Sequence, residues 1–138
     1  MSNKKILIVE DDADVRKGMH LRLQANNYDT FFAVDAVSGV AEARKHKPDL
    51  ILLDLGLPGG DGFKVMEWLA ANPYLAVIPV VVVSARTGNA NRLKAKKAGA
   101  KAFLEKPVEN DELLAVVRKT LGEAPKPGKA LVHDLGDL

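Results

Sequence analysis

Short, continuous runs of branched apolar residues recur along the chain and constrain its fold more than any other feature. Three runs show no polar alternation: Ile6 to Val9, Leu50 to Leu53 and Val77 to Val83. Strands with this pattern are covered on both faces, as in a parallel sheet with helices on each side. Weaker runs at Tyr28 to Val34 and Lys101 to Leu104 predict two more strands, so we expect a sheet of five.

Stretches with helical periodicity lie between the predicted strands. Apolar residues at helical spacing mark three helices: Val15, Met19 and Leu23, then Val37, Val40 and Ala41, then Phe63, Met66 and Leu69. A fourth helix is expected from about Asn89 to Ala98, closed by Gly99, and a fifth from about Asp111 to Leu121. Parallel strands need helical crossovers between them. The pattern predicts an α/β domain with a flavodoxin-like, doubly wound parallel sheet of five strands, in the order 2-1-3-4-5, and five helices.

The predicted domain covers residues 1–122, and the composition changes after Gly122. Residues 123–129 read Glu-Ala-Pro-Lys-Pro-Gly-Lys, and the prolines in this stretch cannot continue a helix. We therefore expect residues 123–138 to be a linker-like tail. Its last part, Ala130 to Leu138, has enough apolar content to begin a further output or kinase element.

Composition excludes several classes of function. The 138 residues include no cysteine, which rules out thiol chemistry, thiolate metal sites and disulfides. A net charge of +2, from 20 basic and 18 acidic residues, leaves little field to attract nucleic acid. The longest apolar runs are about half a membrane span, and the N-terminus does not have the pattern of a signal peptide. We expect a cytoplasmic protein that neither binds nucleic acid directly nor inserts into a membrane.

Carboxylates gather where the first and third predicted strands end. The first strand runs into Glu10, Asp11 and Asp12, and the third ends at Asp54. Ligands of doubly wound sheets bind at the carboxyl ends of the strands. Carboxylates crowded at such a place repel one another, and a bound hard cation such as Mg²⁺ commonly offsets that repulsion. The alternative is structural: Asp12 caps the first helix while Glu10 and Asp11 are solvated loop acids.

Two further polar residues fall on the same edge of the sheet. Ser84 ends the fourth strand and Lys106 follows the fifth. Each alone is commonly a turn or surface residue, but together with the acids they suit a phosphoryl group carried by a carboxylate. Asp54 would be the nucleophile, Mg²⁺ and Lys106 would neutralise charge, and Ser84 would donate a hydrogen bond. The glycine-rich loop after Asp54 allows a close approach, and the Gly56 carbonyl offers another metal ligand.

The ordered set of these motifs resembles the receiver domains of two-component response regulators over about residues 4 to 121. The matching segments are Ile6 to Asp12, Asp49 to Leu55, Leu57-Pro58 with Asp61-Gly62, Val83-Ser84-Ala85, Ala98-Gly99-Ala100 and Lys106-Pro107. The resemblance implies that Asp54 is the phosphoacceptor. It also implies that Asp11 binds Mg²⁺ directly, Glu10 binds it through water and the Gly56 carbonyl is a backbone ligand.

The same resemblance implies how the switch works. Lys106 would contact the phosphoryl group, Ser84 would swing toward it, and a cis peptide bond would precede Pro107. Phe103 takes the place of an aromatic residue that changes rotamer in the family, but it lacks the hydroxyl of a tyrosine. Gly56 and Arg86 flank the family's route for water, so the lifetime of the phosphoryl group stays open.

Partners also follow from the resemblance. The phosphoryl donor would be a phosphohistidine on a sensor histidine kinase or a histidine phosphotransfer protein. A downstream effector, or a second copy in a phosphorylation-dependent homodimer, would bind the face formed by helix four, strand five and helix five. The fourth helix is basic through Arg92, Lys94, Lys96 and Lys97, which suits an acidic partner but is also typical of a solvated helix face.

Three other functions compete with a stand-alone switch. The tail segment around His133 faintly resembles the phosphoacceptor helix of histidine kinases, which would make the chain the receiver part of a larger receiver-kinase protein. A phosphohydrolase of the aspartyl-phosphate type needs a second acid two residues after the nucleophile, and Gly56 stands there. A DNA-binding regulator needs a recognition helix, and nothing before residue 122 reads as one. We therefore expect a signalling switch and not a turnover enzyme.

Overall fold

Five parallel strands form one sheet with helices on both faces. The computed structural model describes residues 3–58, 61–85 and 88–124. The strands are β1 (Lys5–Val9), β2 (Asp29–Ala33), β3 (Leu50–Leu53), β4 (Val80–Ser84) and β5 (Ala102–Glu105). The helices are α1 (Ala13–Gln24), α2 (Ala36–His46), α3 (Gly62–Ala70), α4 (Asn89–Lys97) and α5 (Asn110–Thr120). The sheet order is β2-β1-β3-β4-β5, which confirms the predicted flavodoxin-like topology.

Apolar residues on consecutive positions of a strand serve two separate cores. In β1, Leu7 and Val9 face the core that lies under α2, α3 and α4, whereas Ile6 and Ile8 face the core under α1 and α5. Successive side chains of a strand point to opposite faces of its sheet. Because both faces are covered, the strand must be apolar throughout, which is the reason for the unbroken runs in the sequence.

The predicted start of the fourth strand is wrong by three residues. β4 begins at Val80, and Val77 lies in the preceding turns with 79% of its surface exposed. The Asn72 side chain accepts hydrogen bonds from the amides of Tyr74 and Leu75, which holds this segment in turns. Pro79 has no amide to donate to the sheet, so regular strand pairing starts after it. β5 is shifted by one residue, and β2 is slightly shorter than predicted.

The predicted apolar face of the second helix is also partly wrong. Val37 is 67% exposed and Ala41 is exposed, although Val40 packs against the core. The buried positions are instead small residues, including Gly39, where a side-chain carbon would lie 3.1 Å from a Val9 methyl group. α2 packs so closely on β1 that small residues, not branched ones, occupy the contact.

The end of α5 is tied to the opposite edge of the sheet from the predicted site. The Tyr28 hydroxyl donates a 2.5 Å hydrogen bond to Glu123, and Arg118 donates to the Asn26 side chain. Glu123 therefore packs on the domain one residue beyond the predicted boundary at 122. Most of the predicted tail, including His133, lies outside the described residues, as do Gly59, Gly60 and Arg86. Across the described ranges, no helix has the length and apolar character needed to span a membrane.

Candidate functional site

The carboxyl ends of β1 and β3 bring three acidic residues together. These strands are direct neighbours, with Val9 in register with Leu53, so the residues that follow them are adjacent. Carboxylate oxygens of Glu10, Asp11 and Asp54 all lie within 4.8 Å of one another. Glu10 and Asp54 are buried, whereas Asp11 is exposed. The cluster therefore has a buried floor and one carboxylate open to solvent.

Glu10 is held by the backbone around it. Its amide continues the β1 ladder by donating to the Ala33 carbonyl at 3.0 Å, and its carboxylate accepts from the Asp12 amide at 3.2 Å. The Arg16 guanidinium donates to the Glu10 carbonyl at 2.9 Å. Only 1% of the Glu10 surface is exposed, so the alternative that describes it as a solvated loop acid is wrong.

The other part of that alternative agrees with the structure. The Asp12 carboxylate accepts hydrogen bonds from the amides of Asp14 at 2.9 Å and Val15 at 3.2 Å, and it caps α1. Asp12 is thus committed to the helix, and its neighbours Glu10 and Asp11 form the acidic cluster with Asp54.

Lys106 joins the two buried carboxylates. Its ammonium donates to Asp54 at 3.3 Å and forms an ion pair with Glu10. Burial raises the pKa of the Glu10 carboxyl above its usual range, while hydrogen bonds from Lys106 and the Asp12 amide oppose that rise. Burial by itself would lower the pKa of the Lys106 ammonium, but the hydrogen bond to Glu10 and the charge of Asp54 outweigh burial and raise it. The ammonium therefore stays charged at neutral pH.

The backbone around Asp54 is packed too tightly to vary. The Asp54 amide donates to the Val9 carbonyl at 3.0 Å, and the Asp54 carboxylate accepts from the Gly56 amide at 3.1 Å. Gly62, the first residue of α3, donates to the Leu55 carbonyl at 2.8 Å. A side-chain carbon at Gly62 would lie 2.5 Å from the Asp54 carbonyl oxygen, so the first turn of α3 rests directly on the Asp54 backbone.

Ser84 and Phe103 complete the set of predicted residues within the described ranges. Ser84 is fully buried at the end of β4, and its carbonyl accepts from the Lys106 amide at 3.0 Å. Phe103 is buried in the core under α2, α3 and α4. The peptide bond between Lys106 and Pro107 is cis.

The acidic cluster fits a hard divalent cation. Carboxylate oxygens are the ligands that Mg²⁺ prefers, and Mg²⁺ keeps several waters when it binds to a few carboxylates. Asp11 provides an open, solvent-facing donor, and Asp54 provides a donor fixed by backbone hydrogen bonds. Two buried carboxylates share one ammonium, so a cation would offset charge that Lys106 leaves uncompensated.

Two contributions to the site were not predicted from the sequence. Arg16 lies six residues from Glu10 and gives no motif, and the ion pair between Arg92 and Glu105 depends on how α4 packs on β5. Gly62, by contrast, belongs to the glycine-rich loop that was expected to allow a close approach, and its contact with the Asp54 backbone agrees with that expectation.

Comparison with known proteins gives the family. The protein-family model for the response regulator receiver domain matches residues 6–118 of this chain. The chain is 39% identical over 116 residues to the KDP operon transcriptional regulatory protein KdpE of Escherichia coli, covering 84% of this chain and 50% of KdpE. It is 31% identical over 121 residues to the polar-differentiation response regulator DivK of Brucella anthropi, covering 88% of this chain and 98% of DivK. The chain thus spans about half of KdpE and nearly all of DivK.

Solved structures agree with this assignment. A response regulator from Chloroflexus aurantiacus superimposes with a TM-score of 0.84 at 27% identity, covering 88% of this chain and all of that one. The receiver domain of the sensor histidine kinase PA1611 from Pseudomonas aeruginosa, solved with a magnesium ion in its active site cleft, shares the fold. Its TM-score is 0.81 at 24% identity, covering 88% of this chain and 100% of the PA1611 domain. The family model over residues 6–118 and the coverage of DivK show that this chain belongs to the receiver domains of two-component response regulators.

Proposed function

We propose that this receiver domain is a signalling switch that accepts a phosphoryl group on Asp54. The observation that carries the proposal is the placement of the Asp54 carboxylate, which lies against the Lys106 ammonium and within the acidic cluster of Glu10 and Asp11. A carboxylate that lies next to an ammonium group and next to a site for a metal cation is suited to nucleophilic attack on a phosphate, because both cations offset the negative charge of the phosphate oxygens.

The chemical step is a transfer between two protein side chains. An Asp54 carboxylate oxygen attacks the phosphorus of a phosphohistidine on a partner kinase or histidine phosphotransfer protein. The new O–P bond forms as the P–N bond breaks, and the departing imidazole takes up a proton. Lys106 contacts the added phosphoryl oxygens, and the Ser84 hydroxyl donates a hydrogen bond to one of them.

The chain's own residues account for the rest of the site. Asp11, Asp54 and the Gly56 carbonyl would hold Mg²⁺ at this cluster, and Glu10 would contribute through water, as the family resemblance implies. Bound Mg²⁺ supplies charge neutralisation for the phosphoryl oxygens. The PA1611 receiver domain, which was solved with magnesium in its active site cleft, supports this choice of ion.

A groove beside the site suits the phosphodonor. It has a volume of about 390 Å³ and runs between α1 and α5, reaching Lys106. Its walls are mainly apolar and include Val15, Gly18, Met19, Val108 and Leu113. We propose that the helix carrying the donor histidine docks here, because this groove opens next to Lys106, which contacts Asp54.

The output face is formed by α4, β5 and α5, which bind an effector or a second phosphorylated copy. α4 has four basic residues and no acidic residue, and Lys96 and Lys97 in its last turn are exposed. The acidic residues of this face, such as Glu105 and Asp111, lie on β5 and α5. The charge of α4 supports an acidic partner surface opposite that helix.

The test is labelling with a small phosphodonor. The protein is incubated with Mg²⁺ and acetyl phosphate, and intact mass is measured for one added phosphoryl group. Asp54→Asn abolishes labelling, whereas the matched control Asp61→Asn keeps it, because Asp61 caps α3 through its side-chain oxygen and an asparagine can do the same. An unlabelled wild type, or a labelled Asp54→Asn variant, contradicts the proposal. Turnover of unrelated phosphoesters would instead support a phosphohydrolase.

A further inference from the structure

One side chain of α4 holds two residues of β5. The Arg92 guanidinium donates a 2.8 Å hydrogen bond to the Glu105 carboxylate, with which it forms an ion pair. The same guanidinium lies over the Phe103 ring, 4.8 Å from its centroid. We call this group of three residues, Arg92, Phe103 and Glu105, the α4–β5 clasp.

The clasp is prominent because α4 buries little of its surface. Of the nine residues of α4, Ala95 is the buried one, and the capping position Gly88 offers no side-chain hydrogen bond. Arg92, by contrast, is three-quarters buried, with 24% of its side chain exposed. Helices with little buried surface are the segments that open or shift at low cost. The clasp is therefore a main determinant of where α4 lies relative to β5.

The clasp also adjoins two residues of the proposed phosphorylation site. Glu105 directly precedes Lys106, whose ammonium contacts both Glu10 and Asp54. Glu105 is in register with Ser84, and the Lys106 amide donates to the Ser84 carbonyl. Glu105 is therefore directly connected to both residues that are proposed to close on a phosphoryl group. Lys106 follows it in the sequence, and Ser84 pairs with it in the sheet.

We propose that Arg92 is a positioning residue that opposes phosphorylation of Asp54, an inference that rests on the proposed function. When Asp54 is not phosphorylated, the clasp fixes α4 over the buried Phe103 ring. It also holds the end of β5, at Glu105, against the helix. Phosphorylation redirects Lys106 and Ser84 toward new oxygens, so the end of β5 moves against the clasp. A contact that stabilises one arrangement lowers the affinity for whatever favours the other.

The chain contains a matched control for Arg92. Lys94 lies on the same helix, carries the same charge, and also covers an aromatic ring, with its ammonium 4.2 Å from the centroid of Phe63. Phe63 belongs to α3, however, so this contact does not involve β5. Lys94→Gln therefore reproduces the loss of charge and of a cation–π contact without releasing the clasp.

The experiment compares Arg92→Gln, Glu105→Gln, the double variant and Lys94→Gln with the wild type. The affinity for beryllium fluoride, an analogue of the phosphoryl group, is measured with Mg²⁺ present, together with the rate of labelling by acetyl phosphate. Arg92→Gln raises the affinity about 2- to 10-fold, the range expected from the loss of one partly exposed ion pair and one cation–π contact. Glu105→Gln raises it less, up to about 5-fold, because it removes the ion pair and leaves the guanidinium over the Phe103 ring. The double variant gains little more than Arg92→Gln, because that single variant already lacks the ion pair.

Two controls remove simpler explanations. Glu109→Gln removes an exposed carboxylate three residues after Lys106 in the sequence, and it separates a general charge effect from loss of the clasp. In Arg92→Gln without the analogue, the NMR resonances of the Phe103 ring move toward their positions in the analogue-bound wild type. A merely destabilising substitution would not produce that shift. If Arg92→Gln is poorly folded, Glu105→Gln, whose side chain is half exposed, carries the same test.

The outcomes separate the two proposals. A wild type that is neither labelled nor bound by the analogue overturns the proposed function, and the clasp proposal with it. A wild type that is labelled, with Arg92→Gln and Glu105→Gln at wild-type affinity or below it, overturns the clasp alone. Equal gains in Arg92→Gln and Lys94→Gln, or in Glu105→Gln and Glu109→Gln, also overturn it.

Discussion

Replacing Gly62 by alanine tests whether the first turn of α3 fixes the Asp54 backbone. The added carbon would lie 2.5 Å from the Asp54 carbonyl oxygen and 2.9 Å from the Leu55 Cα. Both neighbours are backbone atoms of a buried segment, so neither can rotate away as a flexible side chain would. We expect the substitution to cost about 1–3 kcal/mol in free energy of unfolding, the range typical of overpacked sites.

The control is another helical glycine, one without a close backbone contact. Gly18 lies within α1, is exposed, and would place a side-chain carbon with nothing within 4 Å. Gly18→Ala should therefore stabilise the protein by about 0.5–1 kcal/mol through helix propensity. The two substitutions add the same methyl group and are predicted to have effects of opposite sign.

Urea unfolding measures the stability, and labelling by acetyl phosphate measures the reaction. Gly62→Ala lowers the unfolding midpoint and slows labelling in the fraction that remains folded, because moving Asp54 disturbs its approach to Lys106 and the acidic cluster. A Gly62→Ala variant as stable as Gly18→Ala, or one labelled at the wild-type rate, would refute the argument that this contact positions Asp54.

Three further predictions concern other parts of the molecule. In EDTA, Lys106→Met costs about 1–3 kcal/mol because two buried carboxylates lose their cation, and added Mg²⁺ raises the melting temperature of the variant more than that of the wild type; equal increases would contradict this. The hydrogen bonds from Ser38 hold the pKa of Asp35 below its usual range, so the stability advantage over Asp35→Ala is present at neutral pH. The part of that advantage that depends on the charged carboxylate is lost as the pH falls through the lowered pKa, and a pH-independent difference between the melting curves would refute it. Val77→Ser changes the free energy of unfolding by less than about 0.5 kcal/mol, since the side chain is exposed, whereas chemical unfolding of Leu52→Ala shows a loss of about 2–5 kcal/mol.

The sheet was predictable because its physical cause is local. Each central strand is covered on both faces, and an unbroken apolar run such as Ile6 to Val9 follows directly from that environment. The grouping of Glu10, Asp11 and Asp54 was predictable for a related reason, since parallel neighbouring strands end at one edge. Order along the chain was enough to place these residues near one another.

The errors arose where tertiary packing decides the outcome. Val77 continues an apolar run in the sequence, but Pro79 and the turns around Asn72 separate it from the strand. α2 approaches β1 so closely that only small residues such as Gly39 fit in the contact. The larger Val37 lies outside that contact and is exposed, although it is apolar. The burial of Glu10 and the contact between Arg92 and Phe103 depend on residues far apart in sequence, so no local pattern reveals them.

The most direct test of the central claim is the location of the phosphoryl group. After labelling with acetyl phosphate, borohydride reduces an aspartyl phosphate to homoserine, and peptide mass mapping identifies the changed residue. The account predicts homoserine at position 54 and unmodified aspartate at positions 11, 12 and 61. Homoserine at any of those other positions, or none at position 54 of a labelled protein, would contradict it.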